Sequence, residues 1–339
     1  MDEFNDSNNR YLSAISNVLS RWYDTNEYVE LTSSGSTAQA KTISLKKSSM
    51  KESAIRTQKH FNYKSGDNVL LCLPVKFIGG MMMLIRSIVS DLNLHITAPS
   101  LNPLSNLSTQ LEFAPMTPSQ LSSSLTLNPQ AVSNIKSILL GGGSVNSTLL
   151  ESIQKLESTV YHSYGMTETI SHIAIRQLNK DKATEHFVTL DGVKIHVNKE
   201  SCLRIASNYF ESIIKTNDIV ELIDHNKFIW KGRKDNVINT GGVKIYPEIV
   251  EQKMDKIFSN SFFIIGSLDA ILGEKVCLVI ESDSGIDPKT IKNQLSVVLD
   301  KFEMPKDIYI LSEFLRTPTG KVRRKETFEK AIKKNHISS

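Results

Sequence analysis

The chain has 339 residues, 40% of them hydrophobic and 22% charged, which suits two globular domains, or one large and one small, with a real core. The formal net charge of +4 is spread along the chain, with "KVRRK" near the end as its densest basic run, so nucleic acid is not expected as a partner. The polar, acidic start "MDEFNDSNN" does not read as a signal peptide, and the most apolar run, "GGMMMLIRSIVS", is short and interrupted by Arg86, too little for a membrane span. Cys72, Cys202 and Cys277 stand far apart in apolar runs without zinc-ligand spacing. They read as buried free thiols of a reducing, cytoplasmic compartment.

In chain order, "NRYLSAISNVLSRWY" sets Leu12, Ile15, Leu19 and Trp22 on one face of an amphipathic helix. A strand at "EYVEL" leads into "LTSSGSTAQAKTISLKKSS". From Gly35 to Thr42 this nearly spells the nucleotide loop G-x-x-x-x-G-K-[ST], with Ala40 at the second glycine. That motif needs a helix opening on the Lys-Thr pair, whereas "KTISLKK" alternates with the period of a strand. The stretch is therefore read as a hydroxyl-rich turn between two strands.

Next come a helix over "SSMKESAIRTQKHF", a strand at "NVLLCLP", a helix at "GGMMMLIRSIV" and a strand at "LNLHITA". A helical or loop stretch follows through "PSQLSSSLT", then a strand at "IKSILLGGG", a helix at "NSTLLESIQKLE" and a strand at "STVYHSYG". This alternation predicts an α/β core with a largely parallel sheet. From about Glu185 the strands "VKIHV", "CLRIA", "DIVELI" and "KFIWKG" read as antiparallel. After the polar turn "GRKDN" a tail of strand, helix, strands, helix, strand and helix has the size of a small α+β domain. The expected division is 1–234 and 235–339.

Several short motifs sit at predicted strand ends, where α/β proteins place ligands. "GGGSV" lets backbone pass close to a flat ligand, although a tight strand-to-helix turn would need the same glycines. "YGMTET" gathers an aromatic ring, hydroxyls and a carboxylate, so Thr167 could bond a phosphate oxygen and Glu168 could hold Mg2+. "TND" places Asp218 at a strand start, suited to a ribose diol but equally common in turns. "GRKDNVINTGGVKIYPEIVE" combines a charged turn, a double-glycine hairpin and a proline-initiated helix, and "TPTGKVRRKE" carries Lys321 after a glycine. Each admits a bland reading singly; in this order together they do not.

Taken in sequence, the pieces resemble the adenylate-forming acyl- and aryl-CoA ligase superfamily over most of the chain. The family's phosphate loop reads roughly T-S-G-S-T-G-x-P-K. Ser33, Ser34, Gly35, Ser36, Thr37 and Lys41 match it, while Ala38 and Ala40 replace its second glycine and its proline. Within the superfamily, "LPVKFIGGMMMLIRSIV", "YHSYGMTETISHIAIR" and "WKGRKDNVINTGGVKIYPEIVE" are similar to o-succinylbenzoate–CoA ligases of menaquinone biosynthesis. The similarity is to their short bacterial forms, because one helix and one strand precede the phosphate loop.

The resemblance implies a large adenylate-forming core domain, shortened at its N-terminus, with a small mobile C-terminal domain. It implies ATP, Mg2+ and CoA, and small-molecule partners throughout; self-association into a homo-oligomer is left open. An acid's carboxylate would attack the α-phosphate of ATP, and the CoA thiol would then displace AMP. Lys321 would bridge carboxylate and phosphate; Ser36, Thr37 and Lys41 would hold the β- and γ-phosphates, with Ser34 and Gly35 also in the ATP/AMP site, and Thr167 would hold the α-phosphate. Glu168 would bind the metal. Gly142, Gly143 and Tyr164 would frame the adenine, and Asp218 and Arg233 the ribose. Asp235 matches the hinge about which the small domain rotates, bringing Gly241 and Gly242 to the pantetheine arm. Arg86 would face the acid's ring carboxylate; the competing reading sets it on the solvent side of an amphipathic helix. Two rival functions stand beside this one: a ligase for another acid or a carrier-protein acceptor, and a non-catalytic nucleotide-binding descendant.

Overall fold

The computed structural model describes residues 2–33, 41–258, 260–283, 287–317 and 320–337. The chain divides into two compact units. The first comprises Met1–His196, Arg204–Lys215 and Leu222–Ile229; the second comprises Val197–Leu203, Thr216–Glu221 and Trp230–Ser339.

The opening helix, α1 (Asp2–Tyr23), buries Tyr11, Ile15, Val18 and Trp22, a regular stripe at helical spacing. The expected stripe is thus rotated: Leu12 is half exposed, and Tyr11 and Val18 are buried instead. Strands β1 (Tyr28–Ser33) and β2 (Lys41–Lys46) pair antiparallel, with Ser33 opposite Lys41, as the two-strand reading of the hydroxyl-rich stretch required.

Helix α2 (Lys47–Phe61), β3 (Asn68–Leu71), α3 (Ile78–Val89) and β4 (Asn93–Ile96) follow the predicted order. Helix α3 buries every residue from Gly80 to Ser87, as an all-round apolar helix must. Its Gly80 lies on the preceding loop, and an added Cβ would sit 2.5 Å from the Pro74 carbonyl oxygen. Strand β5 (Leu111–Met116) is absent from the sequence reading, and it carries Pro115, a residue that disfavours a central strand. It nonetheless pairs with β6 (Ile135–Leu140), reached through α4 (Pro118–Leu127) and α5 (Pro129–Ser133). Thr117 and Gln120 close a reciprocal capping box at the start of α4, so the open stretch resolves as helix. Helix α6 (Ser147–Ile153) is shorter than its apolar pattern, and β7 (Thr159–Gly165) follows it.

Strands β4, β3, β5, β6 and β7 are parallel neighbours. The sheet then turns antiparallel with β8 (His172–Gln177) and β9 (Phe187–Thr189), two strands absent from the sequence reading. Its apolar interior includes Leu70, Ala114, Met116, Ile138, Leu140 and Val160. Strands β10 (Val193–Val197), β11 (Cys202–Ser207), β12 (Ile214–Asp224) and β13 (Lys227–Arg233) carry the order onward, and the division between the units passes through all four.

In the second unit, β14 (Ile238–Thr240) and β15 (Val243–Ile245) form a hairpin, followed by α7 (Pro247–Met254). Strands β16 (Phe262–Asp269) and β17 (Gly273–Glu281), helix α8 (Pro288–Leu295), β18 (Asp307–Leu311) and α9 (Arg324–Ile337) complete it in the expected order. One apolar cluster gathers Val250, Met254, Leu278 and Leu295, and another Phe263, Val279, Phe314 and Phe328. Arg324 donates two bonds of 2.7 Å to the carboxylate of Glu251, joining α9 to α7. Cys72, Cys202 and Cys277 are buried and take part in no disulfide among the described residues. Among the described residues, no helix is long and apolar enough to cross a membrane.

Candidate active site

The C-terminal end of β7 delivers the densest group of sequence-predicted residues in the first unit. Tyr164 stands edge-on to Phe228, with centroids 5.2 Å apart, and Phe228 stacks on Phe187. Gly165 lies so close to the returning strand that a Cβ there would meet the Ser171 carbonyl at 2.4 Å, so the glycine after Tyr164 is required by packing. A single 3-10 turn, Thr167–Thr169, then presents Thr167, half buried, and Glu168, exposed.

That turn is strained. Ile170 has φ of +68°, a conformation that costs a β-branched residue on the order of 1–3 kcal/mol. Buried Thr169 holds it there, accepting from the Met166 N–H at 2.9 Å and donating to the Ser171 carbonyl at 2.7 Å. The strain aims Ser171 and His172 inward, toward α3.

There they meet Arg86. Its side chain is 1% exposed, so the solvent-side reading is overturned. Nη2 donates to Ser171 Oγ at 2.5 Å and lies 3.5 Å from His172 Nδ1, which is also 3.2 Å from Ser171 Oγ. Because a guanidinium only donates, Nδ1 is the acceptor nitrogen and the ring carries its proton on Nε2. Nε2 then faces Thr57 Oγ1 at 3.4 Å, whose own hydrogen goes to the Ser53 carbonyl. Burial, then Arg86, push the His172 pKa well below its usual value, so the ring is neutral. Burial also lowers the Arg86 pKa and lifts that of nearby Tyr63 to about 12. Arg86 Nε and Tyr63 Oη are buried without a hydrogen-bond partner. No carboxylate among the described residues pairs with Arg86, so one buried positive charge stands among neutral groups. Sequence reasoning missed Ser171, His172 and Thr57, whose polar side chains at the start of an otherwise apolar strand and within α2 were the available signal.

The glycine loop after β6 lies beside the end of β7, with Gly142 at φ of +80°. In the second unit, Asp218 is 6% exposed and sits within β12, not at a strand start. Its Oδ1 accepts from the Trp230 indole N–H at 3.2 Å. Arg233 donates to Asp235 at 3.1 Å, and Asn217 also donates to that carboxylate. Gly241 and Gly242, at φ of +57° and +83°, form the turn of the β14–β15 hairpin. Lys321 is exposed, and its N–H donates to Thr317 Oγ1 at 3.1 Å. Ser34, Gly35, Ser36 and Thr37 lie outside the described residues, as does the Lys41 side chain; the Lys41 backbone opens β2.

No cluster of three His, Cys, Asp or Glu side chains among the described residues could form a protein-only metal cage. An exposed single carboxylate such as Glu168 fits Mg2+ held mainly by phosphate oxygens and water, the usual mode for that ion.

The fold is that of adenylate-forming enzymes. The o-succinylbenzoate CoA synthetase of Bacillus subtilis, solved with its acyl-adenylate intermediate, matches at a TM-score of 0.78 over 88% of this chain and 68% of that one, with 19% identity. Residues 26–200 match the AMP-binding enzyme family, and the chain belongs to it. A solved acyl-CoA synthetase (AMP-forming)/AMP-acid ligase II-like protein from Dyadobacter fermentans is 36% identical, with 95% and 94% of the two chains covered and a TM-score of 0.63. The 2-succinylbenzoate–CoA ligase of Listeria innocua is 24% identical over 302 residues, 82% of this chain; the chain spans 64% of that enzyme's length.

Proposed function

We propose that this protein is an ATP-dependent, AMP-forming acid–CoA ligase and that its acid is o-succinylbenzoate. Family membership and the ordered motifs support the reaction class. The acid rests on one observation: a guanidinium, that of Arg86, buried beside Ser171 and neutral His172 with no carboxylate opposite it among the described residues. Burying an unpaired charge is costly, so such a group calls for an anion from outside the protein. A ring carboxylate that is not consumed in the reaction fits that need, while the aliphatic carboxylate goes on to be adenylated.

In this reading Lys321, the phosphate-loop hydroxyls, Lys41 and Thr167 stabilise the charge that grows on the α-phosphate. Mg2+ held at Glu168 would neutralise the polyphosphate. Asp218 and Arg233 would bind the ribose. Rotation about Asp235 would exchange Lys321 for the Gly241–Gly242 turn between the half-reactions, dividing the chain at 234/235. The curated relatives bearing the o-succinylbenzoate name support this choice of acid.

The test is ATP–pyrophosphate exchange with a panel of aryl and alkyl acids. Exchange driven by o-succinylbenzoate, and weakly by an analogue lacking the ring carboxylate, is the expected result. Exchange with another acid alone replaces the substrate. ATP binding without exchange for any acid favours a nucleotide-binding descendant.

A further inference from the structure

A second polar pair, half-buried and unused above, links β7, β8 and the glycine loop. His162 and Arg176 are direct cross-strand partners on the antiparallel β7–β8 pair. Arg176 Nη2 lies 3.3 Å from His162 Nδ1, and His162 Nε2 lies 3.1 Å from the Gly143 carbonyl oxygen. Since the guanidinium can only donate, Nδ1 accepts, and Nε2–H must donate to Gly143. Arg176 is itself fixed. Its Nη1 donates to the Glu185 carbonyl at 3.1 Å, and its guanidinium carbon lies 5.2 Å from the centroid of Phe187. Burial, then the Arg176 charge, lower the His162 pKa to about 4, so the ring keeps this one form at neutral pH.

The next residue acts on the other end of the same loop. Ser163 donates to the Leu140 carbonyl at 2.8 Å, and a Cβ on Gly141 would lie 2.9 Å from Ser163 Oγ. Successive residues of β7 therefore hold Leu140 and Gly143, with the left-handed Gly142 between them. Three consecutive glycines have the largest backbone freedom a loop can have, and ordering them only when a ligand arrives would weaken binding.

We propose that His162, locked in its tautomer by Arg176, is a positioning residue for the nucleotide base. It fixes the Gly143 peptide before the base arrives, so that the loop offers one shape to a flat ring. The proposal rests on the reading that this loop frames adenine, and it adds two residues that the reading did not contain.

The test measures ATP binding by calorimetry on the full chain, comparing wild type with His162→Gln, His162→Asn and Arg176→Met. A glutamine amide nitrogen reaches the position of Nε2, whereas an asparagine amide reaches only that of Nδ1. His162→Gln should bind within about twofold of wild type, and His162→Asn about tenfold more weakly, the loss expected for one hydrogen bond and its preorganisation. Arg176→Met should fall between them, because the imidazole regains its second tautomer. Equal affinity of wild type and His162→Asn overturns the proposal. So does equal loss in the Gln and Asn variants, which marks a packing role. Wild type that binds no ATP removes the functional reading and this inference together, and is told apart because it appears before any substitution.

Discussion

Replacing Arg86 by methionine should separate function from stability, because the two are expected to move in opposite directions. Methionine keeps the unbranched stem within an apolar helix and removes the charge. The groups left behind still have partners: Ser171 Oγ and His172 Nδ1 are 3.2 Å apart, and His172 Nε2 keeps Thr57. No new buried polar atom is orphaned, and Arg86 Nε, already without a partner, is removed. Exchanging a buried charge for an apolar residue of similar volume is neutral or stabilising by about 1–4 kcal/mol. Burial lowers the Arg86 pKa, which has the same sign: the fold disfavours the charged form it carries. Denaturant unfolding of Arg86→Met should therefore give a midpoint no lower than wild type.

Activity should fall. Truncating one partner of a buried charge pair costs about 2–5 kcal/mol, so kcat/KM with o-succinylbenzoate should drop roughly 30-fold or more. With an analogue lacking the ring carboxylate, the change should stay under about 1 kcal/mol, since that acid leaves the guanidinium unpaired in either case. Equal losses for the two acids would refute the pairing. A clear loss of stability would refute the premise as well, because Arg86 would then be a structural cation.

Lys321→Ala should lower adenylate formation by about 3 kcal/mol or more while sparing thioester formation from supplied acyl-adenylate; equal loss in both half-reactions would count against domain alternation. Glu168→Gln should raise the Mg2+ concentration needed for half-maximal exchange without changing the unfolding midpoint, since the amide keeps the shape and surrenders the charge. His162 titrates at about 4 in the fold against 6.5 when free, so its contribution is complete above pH 6.5 and is lost as pH falls through 4. Between pH 7.5 and 4.5, wild type should lose about 2 kcal/mol more than His162→Gln, measured by denaturant midpoints. His172, also depressed, contributes acid lability to both proteins and cancels in that comparison.

What was legible in the sequence follows the range of the interactions involved. Period and turn chemistry are local, so the β1–β2 hairpin, the central α/β alternation and the proline-started α7 could be read directly. Strand β5, absent from the sequence reading, keeps its place between β3 and β6 despite Pro115, whose missing N–H disfavours a central strand.

The greater omission was β8. Its residues His172 to Ile175 are all buried, so no alternation announces a strand, and the polar turn before it looks like the start of a loop. Once β8 pairs back on β7, His162 falls opposite Arg176 and Gly165 opposite His172. That one pairing supplies both the strap on the glycine loop and the neutral histidine beside Arg86. Neither pair is close in sequence, and each consists of residues that, singly, are more often satisfied core or surface groups. The conformation that sets the return is the left-handed Ile170, which no propensity would assign to a β-branched residue. A strained residue persists only where its surroundings over-determine it, and here those surroundings are Gly165, Thr169 and the buried Ser171–Arg86 bond. The part of the site that sequence could not reveal is thus the part that depends on a locally unfavourable choice being repaid by contacts from distant segments.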